Sequence, residues 1–261
     1  MPILDQKEYY QKIKNFNIEH YTGEIPYYTH APIRKVEQAI LLELKQGSDL
    51  LDLGCGSGRF SIGAAQAGFN VIGVDITPEA INAAIQKAEK LGVKNVRFLI
   101  GDMTNLSFQD KTFDYVFCPR FSINAVATFI QRKKAIEEML RVVKDGGTIF
   151  IESFNKLYLG NGFMFMFKNI TRDIGIYFII LYFWFKNKKY DGLLPGDIVY
   201  KANKVETASR GYAHLPTVFE LLRLMPRGIK FKFYSIPQIN EKKRIDFLKF
   251  FRYSILIFIK K

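Results

Sequence analysis

Short apolar runs, several of them ending in an acid, alternate with helical patterns through residue 152. Val36, Ala39, Ile40 and Leu44 recur at helical spacing and predict an amphipathic helix over residues 33–45. The run Leu50-Leu51-Asp52-Leu53 that follows is too short for a helix and predicts a buried strand. Gly54-Cys55-Gly56-Ser57-Gly58 then predicts a tight turn, with a helix over residues 61–67 after it. Residues 70–75 form a second apolar run closed by Asp75, residues 95–103 a third carrying Asp102, and residues 112–118 a fourth. Thr77-Pro78-Glu79 reads as a helix start: a hydroxyl cap, a proline where no donor is missed, and an acid in the first turn. Gly92 ends that helix. Residues 132–144 predict another helix, stopped by Asp145-Gly146-Gly147 before a fifth strand over residues 148–152. Strands alternating with helices in this way predict a parallel sheet.

The turn after the first strand is where chemistry concentrates. Gly54, Gly56 and Gly58 lack a Cβ, so the backbone can adopt conformations closed to other residues and a ligand can approach it closely. The helix behind the turn presents unpaired N–H groups. A dinucleotide fingerprint would need its third glycine at position 59, where Arg59 puts a long charged side chain into a tight helix–strand contact. NAD is therefore disfavoured. The carboxylates Asp75 and Asp102 come to the same edge of the sheet if these strands are parallel neighbours, and ligands of open α/β sheets bind at the carboxyl ends of strands. A carboxylate such as Asp75 can accept both hydroxyls of a ribose.

The sequence Asp52-x-Gly54-x-Gly56-x-Gly58 resembles motif I of the class I S-adenosylmethionine-dependent methyltransferases. Phe113-Asp114-Tyr115-Val116 is similar to that family's fourth-strand signature, and the Gly146-Gly147 turn to the one before its fifth strand. The resemblance is close over residues 45–153, and nearest to the small-molecule and lipid-directed members, the quinone and sterol methyltransferases. It implies S-adenosylmethionine as cofactor, held by Asp52, Gly54, Cys55, Gly56, Gly58, Asp75, Ile76, Asp102, Met103 and Cys118. In the family the third-strand acid, here Asp102, holds the adenine amino group while its neighbour packs on the ring. Pro119 to Asn124 would line the methyl-transfer site. His214 is the candidate for a general base, although methyl transfer from a sulfonium needs one only when the acceptor must lose a proton. The fold implied is Rossmann-like: seven mostly parallel strands, one of them antiparallel, helices on both faces, and an inserted hydrophobic helical cap.

Four segments follow: an N-terminal helical cover over 1–44, a cofactor-binding α/β core over 45–153, a hydrophobic cap over 154–212, and the rest of the sheet domain over 213–261. The last segment predicts a helix over 215–225 and strands over 228–236 and 253–259. The cap holds Phe163, Phe165, Phe167, Phe178, Phe183, Trp184 and Phe185, and its apolar stretch 174–185 rises ~18 Å as a helix, short of a membrane crossing. A lid over an apolar acceptor, a homodimer contact, an interfacial anchor and a helix buried on the sheet all remain open for it.

Composition sharpens this reading only in part. Net charge is +13, with 18 Lys and Arg against 17 Asp and Glu through residue 150, and 20 against 8 after it. An excess confined to the second part suits an anionic partner, whether a membrane surface, a phosphorylated substrate or RNA, or simply a solubilising surface. Two cysteines without metal-ligand spacing, and a start with neither basic n-region nor long apolar h-region, predict reduced thiols, no metal and a cytoplasmic protein, peripheral at a membrane if the cap anchors it. The Asn/Asp-Pro-Pro-Tyr/Phe motif of base-amino methylation is replaced by Cys118-Pro119-Arg120-Phe121, which argues against DNA. The expected activity is in-line methyl transfer to a small, apolar or lipid-like acceptor. An RNA methyltransferase using the basic second part and a non-catalytic adenosylmethionine-binding module are the alternatives.

Overall fold

The computed structural model describes residues 6–155, 196–201, 210–240, 242 and 254–261. Five strands in the first part are β1 (Asp49–Leu53), β2 (Asn70–Asp75), β3 (Val96–Ile100), β4 (Phe113–Cys118) and β5 (Val143–Phe154). They are followed by β6 (Asp197–Lys201), β7 (Arg210–His214), β8 (Lys230–Tyr234) and β9 (Ser254–Lys260). The main sheet has seven strands in the order β3-β2-β1-β4-β5-β9-β8, with β1 to β5 parallel and β9 antiparallel to both its neighbours. Strand order reverses between β1 and β4, so the crevice at their carboxyl ends is the topological switch point of the sheet.

Alternation along each strand supplies two faces. Leu51 and Leu53 of β1, Val116 of β4 and Ile149 and Ile151 of β5 pack against α5 (Phe129–Val142) and α6 (Val218–Leu224). Leu50, Val71, Phe117 and Phe150 point the other way, onto α2 (Lys35–Leu41) and α3 (Arg59–Gln66). Ala84 and Ala88 of α4 (Pro78–Lys90) lie over Phe98, and α7 (Ile236–Asn240) adds Ile236 and Ile239 beside α2. Helices on both faces and one antiparallel strand agree with the sequence reading.

Residues 1–44 were expected to be a helical cover, and α1 (Gln6–Thr29) is one long helix within it, with Pro26 inside its last turn, where the ring removes the N–H that would bond the carbonyl four residues back. Two differences concern the strands. The Asp145-Gly146-Gly147 stop lies within β5 and not before it: Phe113 pairs with Val143 but Tyr115 with Thr148, so the extra residues bulge out, with Gly146 at φ +76°. The sequence reading also had no strands at 197–201 and 210–214, which pair as an antiparallel hairpin. Most of the expected cap, residues 156–195 with all seven of its named aromatics, falls outside the described residues. No described helix is long and apolar enough to cross a membrane.

Gly58 shows how packing dictates sequence at the first turn. It caps α3 at φ +77°, and a Cβ there would press within 2.9 Å of the Phe98 ring and 3.0 Å of Ala84. Gly58→Ala should therefore destabilise the protein by about 1–3 kcal/mol through combined backbone strain and overpacking. Urea denaturation of the variant measures this.

Candidate functional site

The carboxyl ends of β1, β2, β3 and β4 open into a cavity of about 250 Å³. Its floor is the glycine turn. Gly54 stands at φ +73° and Gly56 at φ +52°; a Cβ on Gly54 would collide with Ser122, whereas one on Gly56 would meet no protein atom. The backbone N–H groups of Gly54 and Cys55 donate to Val74 O at 2.8 and 3.1 Å, so the turn is fastened to the end of β2. Asp75, the next residue, completes the fastening: its Oδ2 accepts from Gly56 N–H and its Oδ1 from Thr77 N–H, each at 2.9 Å. Burial pushes the Asp75 carboxyl up, and those backbone donors oppose the shift.

Asp52 is wholly buried on β1 and borders the cavity. Ser61 donates to its Oδ2 at 2.5 Å, while Oδ1 has no hydrogen-bond partner among the described residues. Desolvation raises its carboxyl to about 7 against the counteracting Ser61 bond and the nearby Arg59 charge. An unpaired buried carboxylate oxygen is costly, and a cationic donor from a ligand would relieve it.

Opposite the turn stands α1. Tyr10 donates its hydroxyl to Asp102 at 2.9 Å, and Lys14 Nζ reaches Asp102 Oδ2 at 2.8 Å. Thr104 adds its N–H and hydroxyl at 2.9 and 2.8 Å. Desolvation works against ionisation of Asp102, but the Lys14 ammonium and the Thr104 donors hold its carboxyl below the usual range. The third wall follows β4, where Arg120 and Phe121 both take positive φ, +52° and +65°, ahead of a short 3-10 turn over Ser122–Ala125. Phe121 stacks on Phe154 with ring centroids 3.8 Å apart and planes 13° off parallel.

Eight of the ten residues expected to bind cofactor border this one cavity: Asp52, Gly54, Cys55, Gly56, Asp75, Ile76, Asp102 and Met103. Gly58 and Cys118 do not border it; Gly58 shapes the turn from behind, and Cys118 is fully buried in the core beneath the end of β4. Both cysteines are free and buried. Among the described residues no group of three His, Cys, Asp or Glu side chains could hold a metal ion.

His214, the candidate base, is 2% exposed and lies behind the cavity wall, to which its neighbour Ala213 contributes. Its Nδ1 lies 2.7 Å from Asp197 Oδ1 and its Nε2 3.3 Å from Glu220 Oε1. Asp197 also accepts from Tyr212 at 2.7 Å and from Tyr9 at 3.2 Å, so this cluster knits the β6–β7 hairpin to α1 and α6. Sequence reasoning missed Tyr10, Lys14, Tyr21 and Ile25 as cavity residues. The tyrosine-rich start was the one available signal for them.

Strand order and the switch-point cavity agree with the Rossmann-like fold expected from the sequence, and a family model matches residues 44–173. That model is described as a methyltransferase domain. A demethylmenaquinone methyltransferase from Bacillus cereus is 32% identical over 157 residues, which is 58% of this chain and 64% of that relative. The same name and identity recur in Bacillus anthracis. The chain thus spans just under two thirds of the length of the curated relatives it matches. Among solved structures, a SAM-dependent methyltransferase from Methanosarcina mazei shares the fold with a TM-score of 0.62 at 22% identity, over 88% of this chain and 99% of that one. The CcbJ methyltransferase from Streptomyces caelestis gives a TM-score of 0.65 at 13% identity, over 92% and 97%.

The residues present fit S-adenosylmethionine. Asp52 Oδ1 is an unsatisfied acceptor that an ammonium would suit, Asp75 is a carboxylate bordering the cavity beside the glycine turn, and Ile76 and Met103 add apolar lining that a planar base would suit. Asp75→Ala should weaken S-adenosylmethionine binding by about 1–3 kcal/mol, as expected for loss of charge-assisted bonds, and calorimetry reads it.

Asp52 also predicts a pH dependence. Its folded carboxyl keeps a proton up to about 7, whereas the unfolded chain releases it near 4. The folded state therefore binds the extra proton, and stability declines as pH rises through that window. Asp52→Asn should reduce the slope of urea midpoint against pH there; Asp75, shifted the same way, keeps the slope from vanishing.

Proposed function

We propose that this protein is an enzyme that transfers a methyl group from S-adenosylmethionine to a small, apolar or lipid-like acceptor. The observation that carries it is one cavity with two unlike kinds of lining: a glycine turn with three acids, and the apolar side chains Phe121, Phe154, Val126 and Ile25. When bound, S-adenosylmethionine would supply an electrophilic sulfonium methyl for in-line displacement by the acceptor, with a neutral thioether as leaving group and the acceptor's displaced proton released to solvent.

The chain's own residues hold and align. Asp52 takes the ammonium end, Asp75 the ribose hydroxyls, and Met103 and Ile76 the base, with Asp102 beside it. The turn from Pro119 to Ser122 and the α1 residues Tyr21 and Ile25 enclose the methyl and exclude water from it. Alignment of two bound reactants supplies much of such an acceleration. His214 we assign to holding the wall from behind, because both its ring nitrogens face buried or half-buried acids.

The curated relatives are named for demethylmenaquinone, so a reduced demethylmenaquinone is the acceptor to try first. Transfer of labelled methyl from S-adenosylmethionine to that quinol, dependent on Asp75, is the expected result. Binding of cofactor without transfer to any quinol would remove this acceptor class, and tighter binding of NAD than of S-adenosylmethionine would remove the cofactor.

A lipid-like acceptor also requires access to a membrane. The excess of 20 Lys and Arg over 8 Asp and Glu after residue 150 supports peripheral contact with the cytoplasmic leaflet, and residues 154–212 are the segment we assign to that contact or to a homodimer. Co-sedimentation with anionic but not neutral vesicles, lost at high salt, is expected. Indifference to vesicle charge would leave the dimer role, which light scattering decides.

A further inference from the structure

Beside the apolar lining of the cavity lies an ion network. Glu152 of β5 is 2% exposed, and its carboxylate accepts from Arg34 Nη1 at 3.0 Å, from Arg34 Nη2 at 2.5 Å and from the backbone N–H of Arg120 at 2.8 Å. Arg34 continues to Glu37, its Nε 2.9 Å from Oε1, and Glu37 receives both Nη atoms of Arg59 at 2.5 and 2.7 Å. Arg59 is the residue directly after the glycine turn. One chain of charges therefore runs from the start of α3 to the loop after β4.

That loop needs a holder. Arg120 and Phe121 occupy left-handed backbone in succession, a conformation that costs non-glycine residues of order 1 kcal/mol or more each and persists where surroundings impose it. Glu152 grips the first of the two at its N–H. Phe154, two residues further along β5 and so on the same face, grips the second by stacking. A buried ion pair by itself is weak support for a fold, because desolvation offsets the attraction. Only an acceptor oxygen at this depth, however, can hold the Arg120 amide.

We propose, resting on the methyl-transfer reading above, that Glu152 is a positioning residue for the methyl acceptor: it sets the Arg120–Phe121 backbone, and thereby the Phe121 ring that walls the acceptor end. Arg34, Glu37 and Arg59 tie that wall to the cofactor turn. Removing the acceptor oxygen should loosen one end of the cavity and leave the other intact.

The test compares the full-length protein with Glu152→Leu and Glu152→Gln. In Glu152→Leu, amide exchange at Arg120, Phe121 and Ser122 should quicken about tenfold and the KM for reduced demethylmenaquinone rise by about the same factor, for a wall misplaced by a fraction of an ångström. The Kd of S-adenosylhomocysteine should stay within about twofold, under half a kcal/mol. Glu152→Gln keeps one carbonyl oxygen for the Arg120 amide and should restore most of the protection. Unchanged exchange and acceptor KM, or an equal loss of cofactor affinity, would overturn the proposal. If Glu152→Leu does not fold, Arg34→Met, which strips the partner that orients Glu152, is read by the same criteria. If the wild type binds S-adenosylhomocysteine but methylates no quinol, the acceptor reading fails, and amide exchange alone decides the role of Glu152.

Discussion

The site depends on a backbone turn whose N–H groups are tied to the neighbouring strand. Three consecutive amides, of Gly54, Cys55 and Gly56, donate to Val74 O and to the Asp75 carboxylate. Such bonds require β1 and β2 to be parallel neighbours in the register that pairs Leu53 with Val74. They also require positive φ at Gly54 and Gly56. A side chain at Gly54 would run into Ser122 of the opposite wall, so the same glycine that allows the turn allows the two walls to approach. Asp75 thus serves the protein twice, as a support of the turn and as a carboxylate presented to the cavity.

The cavity is closed by α1, a helix held by polar contacts more than by a deep apolar face. Asn17 donates to Ala125 O at 3.0 Å and accepts from Tyr212 N–H at 2.9 Å, which fixes α1 both to the turn after β4 and to the β6–β7 hairpin. Tyr9 adds Asp197 from below, and Lys14 adds Asp102 from the cofactor side. A wall assembled from such bonds is specific in position, because each buried donor left without its acceptor costs more than the bond contributes when made.

Buried charge is distributed on opposite sides of this cavity for different ends. The Asp197–His214–Glu220 cluster holds a hairpin against α1 and α6, with the Glu220 carboxyl lowered to about 2 by its His214 and Thr217 contacts, against desolvation. The Arg34–Glu37–Arg59–Glu152 network holds loops against the carboxyl end of β5. Both place polar atoms where an apolar core could not satisfy backbone amides, and both reach cavity-lining positions: His214 follows Ala213 in the chain, and Glu152 accepts from the Arg120 N–H.

What could be read along the chain was whatever a local rule controls. Period-2 and period-3.6 patterns placed the first four strands to within a few residues, the glycine spacing located the turn, and the terminal acids Asp75 and Asp102 marked the cavity edge, because strands of one parallel sheet end together. The bulge in β5 was misread as a helix stop because Gly146-Gly147 permits either conformation, and pairing with β4 chooses between them. Cys118 was assigned to the cofactor because it ends a strand; its side chain follows the pleat into the core, and a single residue of alternation decides which. The rest lay in contacts between distant segments. Tyr10 and Asp102 are 92 positions apart, Arg34 and Glu152 118, and Tyr9 and Asp197 188. No local pattern distinguishes such a tyrosine or arginine from one on a wet surface, since the energy that fixes it appears only when folding has removed the water from around its partner.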